Sequence, residues 1–327
     1  MQVLRLGKEI YIFFGKYNIC GLFGMLLSCI IIGYLIFKVF KIIEKNINIK
    51  TYNDFMCFVM NKNDKSKEII SNFKLIINIF LLISFYIMGA GFCTYFKQQY
   101  NFPGLLIAIA ISIGCFAVLN KSVEGVIKIS TILVPIIIIF IVQLGIGSFK
   151  IGAREILEMN INLENVPKSM ISSILYSSYN SIILLPTVIS IKKYIKKREF
   201  KTVAIIISSV IFILGILVYI ILFSDVNNVE LIEMPIVHIV KEHNKDFKYL
   251  YGIVIIISIF TSMISSGYGF LKNCAENEIE YKKYLLYICI GVVFVCNISF
   301  SILVKFIYPI FGVLGAIQIY YILKIKT

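Results

Sequence analysis

The chain has 327 residues, of which 59% are hydrophobic and only 15% charged, with a mean hydropathy of +0.90. A water-soluble protein of this length needs far more polar surface, so composition excludes one and points to an integral membrane protein. The net charge of +14 would suggest nucleic acid on a soluble chain; here no nucleic-acid partner is implied, because lysine and arginine collect in the cytoplasmic loops of membrane proteins.

In chain order, residues 1–14 (MQVLRLGKEIYIFF) are mixed and too charged to span, and they lack the apolar core and small-residue end of a cleavable signal. Residues 15–18 turn the chain. Nine spans are then expected, at about 19–40, 73–96, 103–119, 126–146, 170–191, 202–223, 249–271, 284–304 and 306–323, the last two separated by Lys305. Between the first two, residues 51–60 read as a short amphipathic helix and 61–67 (NKNDKSK) as solvated loop. Residues 150–167 form a polar linker, and 231–240 can lie along the membrane surface. The most basic stretch is 192–201 (KKYIKKREFK). Placing it in the cytoplasm puts the larger share of the lysines on that side, together with the C-terminus.

The chemistry concentrates in residues 170–191, MISSILYSSYNSIILLPTVISI. Its middle, Tyr176-Ser177-Ser178-Tyr179-Asn180, is too polar for a lipid-facing wall, since unpaired polar groups are costly to bury in hydrocarbon. Pro186 follows, and proline cannot donate to the helix ladder. A broken or bent helix lining a water-filled site fits this pattern; so does a packed Ser/Asn helix interface. In 249–271, Ser258, Thr261 and Ser262 share a helical face. Their oxygens suit a desolvated Na⁺, or each hydroxyl bonds back to its own helix. Glu9 is the one acid at plausible membrane depth in the first half. It is a proton carrier, a substrate contact, or an ordinary acid near the surface. Gly89-Ala90-Gly91-Phe92 and Gly267-Tyr268-Gly269-Phe270 hint at an inverted repeat.

The eight cysteines are Cys20, Cys29, Cys57, Cys93, Cys115, Cys274, Cys289 and Cys296. None forms a CxxC pair, and they read as small buried hydrophobes rather than disulfides or metal ligands. His238 and His243 do not share a helix face. With no nucleophile motif, Walker A, GxGxxG or HExxH present, no enzyme is expected.

Several motifs resemble the YkvI-type bacterial membrane proteins. Gly7-Lys8-Glu9-Ile10 with Phe13-Phe14-Gly15 resembles the end of their first helix. Residues 121–135 (KSVEGVIKISTILVP) resemble the start of their fifth, Leu175-Tyr176-Ser177-Ser178-Tyr179-Asn180 their sixth, and Tyr308-Pro309-Ile310-Phe311-Gly312-Val313-Leu314-Gly315 their tenth. That family is similar to the amino acid–polyamine–cation transporter superfamily. The resemblance implies an all-α, polytopic transmembrane bundle with a LeuT-like 5+5 inverted repeat. Helices one and six would be broken at mid-membrane, and the first half of helix one would be missing from this chain. The repeats would be residues 1–147 and 169–327, joined by an extracellular linker at 148–168.

The implied function is cation-coupled transport of a small solute, an amino acid or related compound, across the cell membrane by alternating access. Tyr176, Ser177, Ser178, Tyr179, Asn180 and Glu9 would contact substrate. Ser258, Thr261 and Ser262 would hold Na⁺ if that is the coupling ion, H⁺ being the other choice; no further cofactor or metal is implied. The alternative is a non-transporting receptor or assembly subunit on the same fold, like the spore germinant receptors. Partners are the lipid bilayer and the solute. The oligomeric state is not implied.

Overall fold

A computed structural model describes residues 7–46, 49, 52–60, 64–121, 124–159, 161–225, 232–243, 248–296 and 298–325. Among them the regular structure is helical throughout, with no strand. The α-helices are α1 (Lys8–Phe13), α2 (Ile19–Lys45), α3 (Tyr52–Val59), α4 (Asp64–Tyr100), α5 (Gly104–Lys121), α6 (Glu124–Glu158), α7 (Asn165–Ile191), α8 (Phe200–Phe223), α9 (Pro235–His243), α10 (Lys248–Cys274), α11 (Glu278–Val295) and α12 (Phe300–Lys324). Among the described residues, seven helices are long and apolar enough to cross a membrane: α2, α5, α10, α12 and the apolar parts of α4, α6 and α8. Two expected spans, those now seen as α7 and α11, are not among the seven. In α7 the serines and Asn180 dilute the apolar residues.

The chain divides into two compact units, described in turn. The first comprises Met1–Tyr11, Asn78–Glu155 and Leu217–Lys305. Here α5 lies against α11, and Ser112 Oγ donates to the Cys289 carbonyl at 2.7 Å. Tyr281 Oη donates to the Leu119 carbonyl at 3.0 Å. α10 contacts α5, α9 and α11. The two Gly-x-Gly-Phe segments sit where α4 and α10 approach: Gly89 faces Met263, and Gly267 faces Phe85.

The second unit comprises Ile12–Ile77, Ile156–Ile216 and Phe306–Thr327. Its centre is the α2–α7 pair, with α3 also against α7. On α12, Phe306, Ile310, Val313, Ile317 and Tyr320 are exposed, while Tyr308, Phe311, Gln318 and Ile322 are buried. Exposed apolar residues at spacings of three and four make a stripe that water disfavours and lipid tails accept. Lys38 of α2 is buried and donates to the Leu323 carbonyl in the last turn of α12 at 2.7 Å. A cation there satisfies a carbonyl left open by the helix end and opposes the helix dipole. Lys38→Met is therefore expected to lower thermal stability by about 1–2 kcal/mol while keeping the fold, as read from unfolding of the detergent-purified protein.

Three expectations need correction. The last two spans do not meet at Lys305, which lies inside α12; the break falls between Val295 and Phe300. It is fixed there by Glu233, whose carboxylate accepts from Ser299 Oγ and from the Ser301 backbone N–H (2.7 Å), so it caps the start of α12. Residues 150–167 are not all linker, because α6 continues to Glu158. Of the loop expected at 61–67, residues 61–63 lie outside the described set and α4 has begun by Asp64.

Candidate solute-binding residues

α7 is one uninterrupted α-helix from Asn165 to Ile191, with Pro186 inside it. The break expected at Tyr176–Asn180 is absent, and the hydrogen bonds give the reason. Ser173 Oγ donates to the Ser169 carbonyl (2.6 Å), Ser177 Oγ to the Ser173 carbonyl (2.9 Å), Asn180 Nδ2 to the Tyr176 carbonyl (2.9 Å) and Ser181 Oγ to the Ser178 carbonyl (2.7 Å). These four side chains each spend a donor on their own helix, so most of the polar midpoint needs no unwinding. Ser169 Oγ donates instead across the seam to the Cys20 carbonyl of α2 (2.8 Å). At that seam Gly24 leaves no space for a Cβ against Ser169. Part of the polar stripe is thus helix-packing surface.

The rest of α7's middle has different company. Ser172 Oγ donates to the Phe13 carbonyl at the end of α1 (2.6 Å). Tyr179 is stacked between Phe13, at 5.6 Å and 26°, and Tyr308 of α12, at 5.0 Å and 16°. Tyr176 stands edge-on to Phe13 (5.4 Å), Phe14 (4.9 Å) and Tyr179 (5.5 Å). α12 approaches the same turn backbone to backbone. A Cβ at Gly312 would lie 2.9 Å from the Leu175 carbonyl oxygen, and one at Gly315 would overlap that of Ser178. Three motifs distant in sequence therefore share one locus: Phe13-Phe14-Gly15, Leu175 to Asn180, and Tyr308 to Gly315. On the same turn of α7 Ser178 is 1% exposed, and its Oγ has no hydrogen-bond partner among the described residues. Buried polar atoms are normally paired, so a lone hydroxyl is a place for a ligand group or water.

Ser258, Thr261 and Ser262 lie in the first unit, on α10, and are buried. Thr261 Oγ1 donates to the Ser258 carbonyl (3.1 Å), and Ser265 Oγ to the Thr261 carbonyl (2.8 Å). Back-bonding of this kind uses the hydroxyl hydrogen and leaves the oxygen lone pairs. Of the three hydroxyls Thr261 is the one seen to bond back to its own helix, and its oxygen keeps acceptor capacity while doing so.

Glu9 is not an ordinary surface acid. It is 2% exposed, and its Oε1 lacks a partner among the described residues. The neighbouring Lys8 is also buried, with Nζ donating to the Ile232 carbonyl at 2.8 Å. Sequence reasoning missed Ser169, Ser172 and Phe13 as members of these constellations. The four-residue spacing of Ser169, Ser173, Ser177 and Ser181 was the available signal for the seam. Phe13 stood out only as part of the Phe13-Phe14-Gly15 motif.

No family profile matches the chain. It is similar to an uncharacterized membrane protein, YkvI, of Bacillus subtilis strain 168. The two are 27% identical over 327 aligned residues, covering 94% of this chain and 86% of that protein. Together with the apolar helices and their lipid-compatible faces, this makes the chain a multi-pass helical membrane protein.

Proposed function

We propose that the protein is a secondary active transporter of a small solute, an amino acid or related compound, driven by a Na⁺ or H⁺ gradient in the cell membrane. Tyr176, Ser177, Ser178, Tyr179, Asn180 and Glu9 contact the solute, and Ser258, Thr261 and Ser262 supply ion ligands where the ion is Na⁺. The C-terminus is cytoplasmic, and the fold is LeuT-like, with repeats at residues 1–147 and 169–327. No enzymatic step belongs to this reading.

The observation that carries it is the convergence of the α1 end, the α7 midpoint and the α12 motif around Tyr179, with the buried, unpartnered Ser178 hydroxyl on the same turn of α7. The makeup of the two units agrees with it. α2 and α7 belong to one with most of α8 and α12, whereas α5, α10 and α11 belong to the other with most of α4 and α6. That grouping matches a moving bundle and a scaffold.

A second reading, a non-transporting receptor or assembly subunit, is favoured by the continuity and self-bonding of α7. Uptake of radiolabelled amino acids into proteoliposomes separates the two. A transporter shows uptake that rises with a Na⁺ or H⁺ gradient and falls at least tenfold in the Asn180→Leu/Thr261→Val double variant. Undiminished uptake in that variant would remove these residues from the site. Absence of gradient-driven uptake for every amino acid would favour the receptor.

A further inference from the structure

A cavity of about 620 Å³ opens in the first unit where α4 and α11 end, and Cys93 and Cys296 form part of its wall. Cys93 lies near the C-terminal end of α4, and Cys296 is the C-cap of α11, just before the break that precedes α12. Their side chains are hydrogen-bonded to each other, and both thiols are free. The packing builds this approach. Gly89 lies one turn before Cys93 on the same face of α4, and a Cβ at Gly89 would stand 3.7 Å from Cys296 Sγ. With glycine there, the end of α11 settles against α4 and carries the second sulfur to the first. Two further cysteines of this unit, Cys115 on α5 and Cys289 on α11, are buried and do not line the cavity. Cys115 Sγ lies instead 3.6 Å from Met263 Sδ. Cys296 is 9% exposed and Cys93 2%, so Cys296 is the one that a molecule in the cavity meets first.

We propose that Cys93 and Cys296 are a redox-active dithiol that closes into a disulfide, stapling the end of α4 to the α11–α12 break, with a small organic disulfide entering the cavity as the oxidant. The Cys296 thiolate attacks one sulfur of that molecule and breaks its S–S bond. One half leaves as a thiolate, and Cys296 carries the other as a mixed disulfide. The Cys93 thiolate then attacks Cys296 Sγ and expels the second half. Two electrons pass from the cysteine pair to the reagent, which is reduced to two thiols, and these take up the two protons that the cysteines release. Sulfurs already in hydrogen-bond contact have only to close to about 2 Å. Cys296 stands at a helix end, where the chain yields more readily than in mid-helix. By the lysine distribution the cavity lies on the side away from the cytoplasm, where disulfides form and persist. Packing alone accounts for Cys115 and Cys289. Two thiols in contact on the wall of an open cavity have exchange chemistry available as well. The inference uses that orientation and none of the residues assigned to the solute or the ion.

The test is oxidation of the reduced, purified full-length protein in detergent with hydroxyethyl disulfide. After removal of the reagent the protein is denatured, its remaining thiols are blocked with N-ethylmaleimide, and its peptides are mapped by mass spectrometry. A Cys93–Cys296 crosslink is expected in the majority of molecules, reversed by dithiothreitol, with Cys115 and Cys289 recovered as maleimide adducts. Cys93→Ser is expected to hold the reagent on Cys296 as a mixed disulfide, and Cys296→Ser to leave Cys93 unmodified. These variants report the order of attack; the crosslink itself is read in the parent protein and does not depend on their folding. Recovery of both Cys93 and Cys296 as maleimide adducts would overturn the proposal. So would a crosslink that joins either of them to Cys115 or Cys289, or a mixed disulfide that persists on Cys296 with Cys93 free in the parent. Absence of gradient-driven uptake would count against transport and has no bearing on this result.

Discussion

Replacing Gly315 with leucine is expected to eliminate the folded protein, read as loss of the monodisperse peak in detergent size-exclusion chromatography. A side chain at 315 has nowhere to go, because its first carbon would already overlap the Ser178 carbonyl, with the Tyr179 backbone nitrogen behind it at 3.2 Å. The obstacle is helix backbone, which cannot rotate aside. α12 would have to retreat from α7 along the whole seam, opening the Gly312 contact with Leu175 and the Tyr179–Tyr308 stack. Overpacking a well-packed site costs about 1–3 kcal/mol even when side chains can yield. A backbone clash costs more, against a total stability of roughly 5–15 kcal/mol. Gly147→Leu is the control: among the described residues no atom beyond its own stretch of helix lies within 4 Å of a Cβ at that position, and its elution should match the parent. A normal peak for Gly315→Leu would show that the two helices do not approach this closely.

Tyr179→Ala carries the second large effect, a destabilisation of about 3–5 kcal/mol. The ring is 2% exposed and touches aromatic partners on α1, α7 and α12, at centroid distances of 5.6, 5.5 and 5.0 Å. Each such pair contributes about 0.5–1.5 kcal/mol beyond area burial. In a bilayer, lipid tails are as apolar as the core, so helix association depends on packing, and an empty ring-sized space weighs heavily. Tyr179→Phe keeps the stack and should lie within about 1.5 kcal/mol of the parent by unfolding in mixed micelles. Comparing uptake in the two variants separates the ring's structural role from its hydroxyl. If only the stack matters, Tyr179→Phe transports normally; if the hydroxyl contacts solute, uptake falls with stability intact.

Much of the architecture was legible because the bilayer imposes a simple rule. Long apolar runs must become helices, since backbone groups in hydrocarbon need internal partners. Hence the expected spans at 19–40, 103–119, 202–223 and 249–271 coincide with α2, α5, α8 and α10. Boundaries were harder. The start of α12 is set by Glu233, a residue far away in sequence, and no local pattern announces a cap delivered from another segment. Lys305 looked like a loop because it is charged. Inside a helix it is tolerated, since a long side chain can carry its ammonium away from apolar surroundings.

The candidate site shows the same division. That residues 176–180 are unusual was evident from polarity alone. Whether they unwind the helix was not, because serine and asparagine can bond to their own helix, to a neighbour, or to a ligand, and a change of rotamer selects among these. Here Ser177 and Asn180 bond at home, Ser169 and Ser172 bond across, and Ser178 Oγ is left without a partner among the described residues. Composition and periodicity report what a residue prefers on average over its surroundings, which is enough to place a chain in lipid and mark its helices. The fate of a particular hydroxyl, ring or carboxylate depends on which atom of a distant segment comes within three or four ångströms, and that is settled when the helices pack.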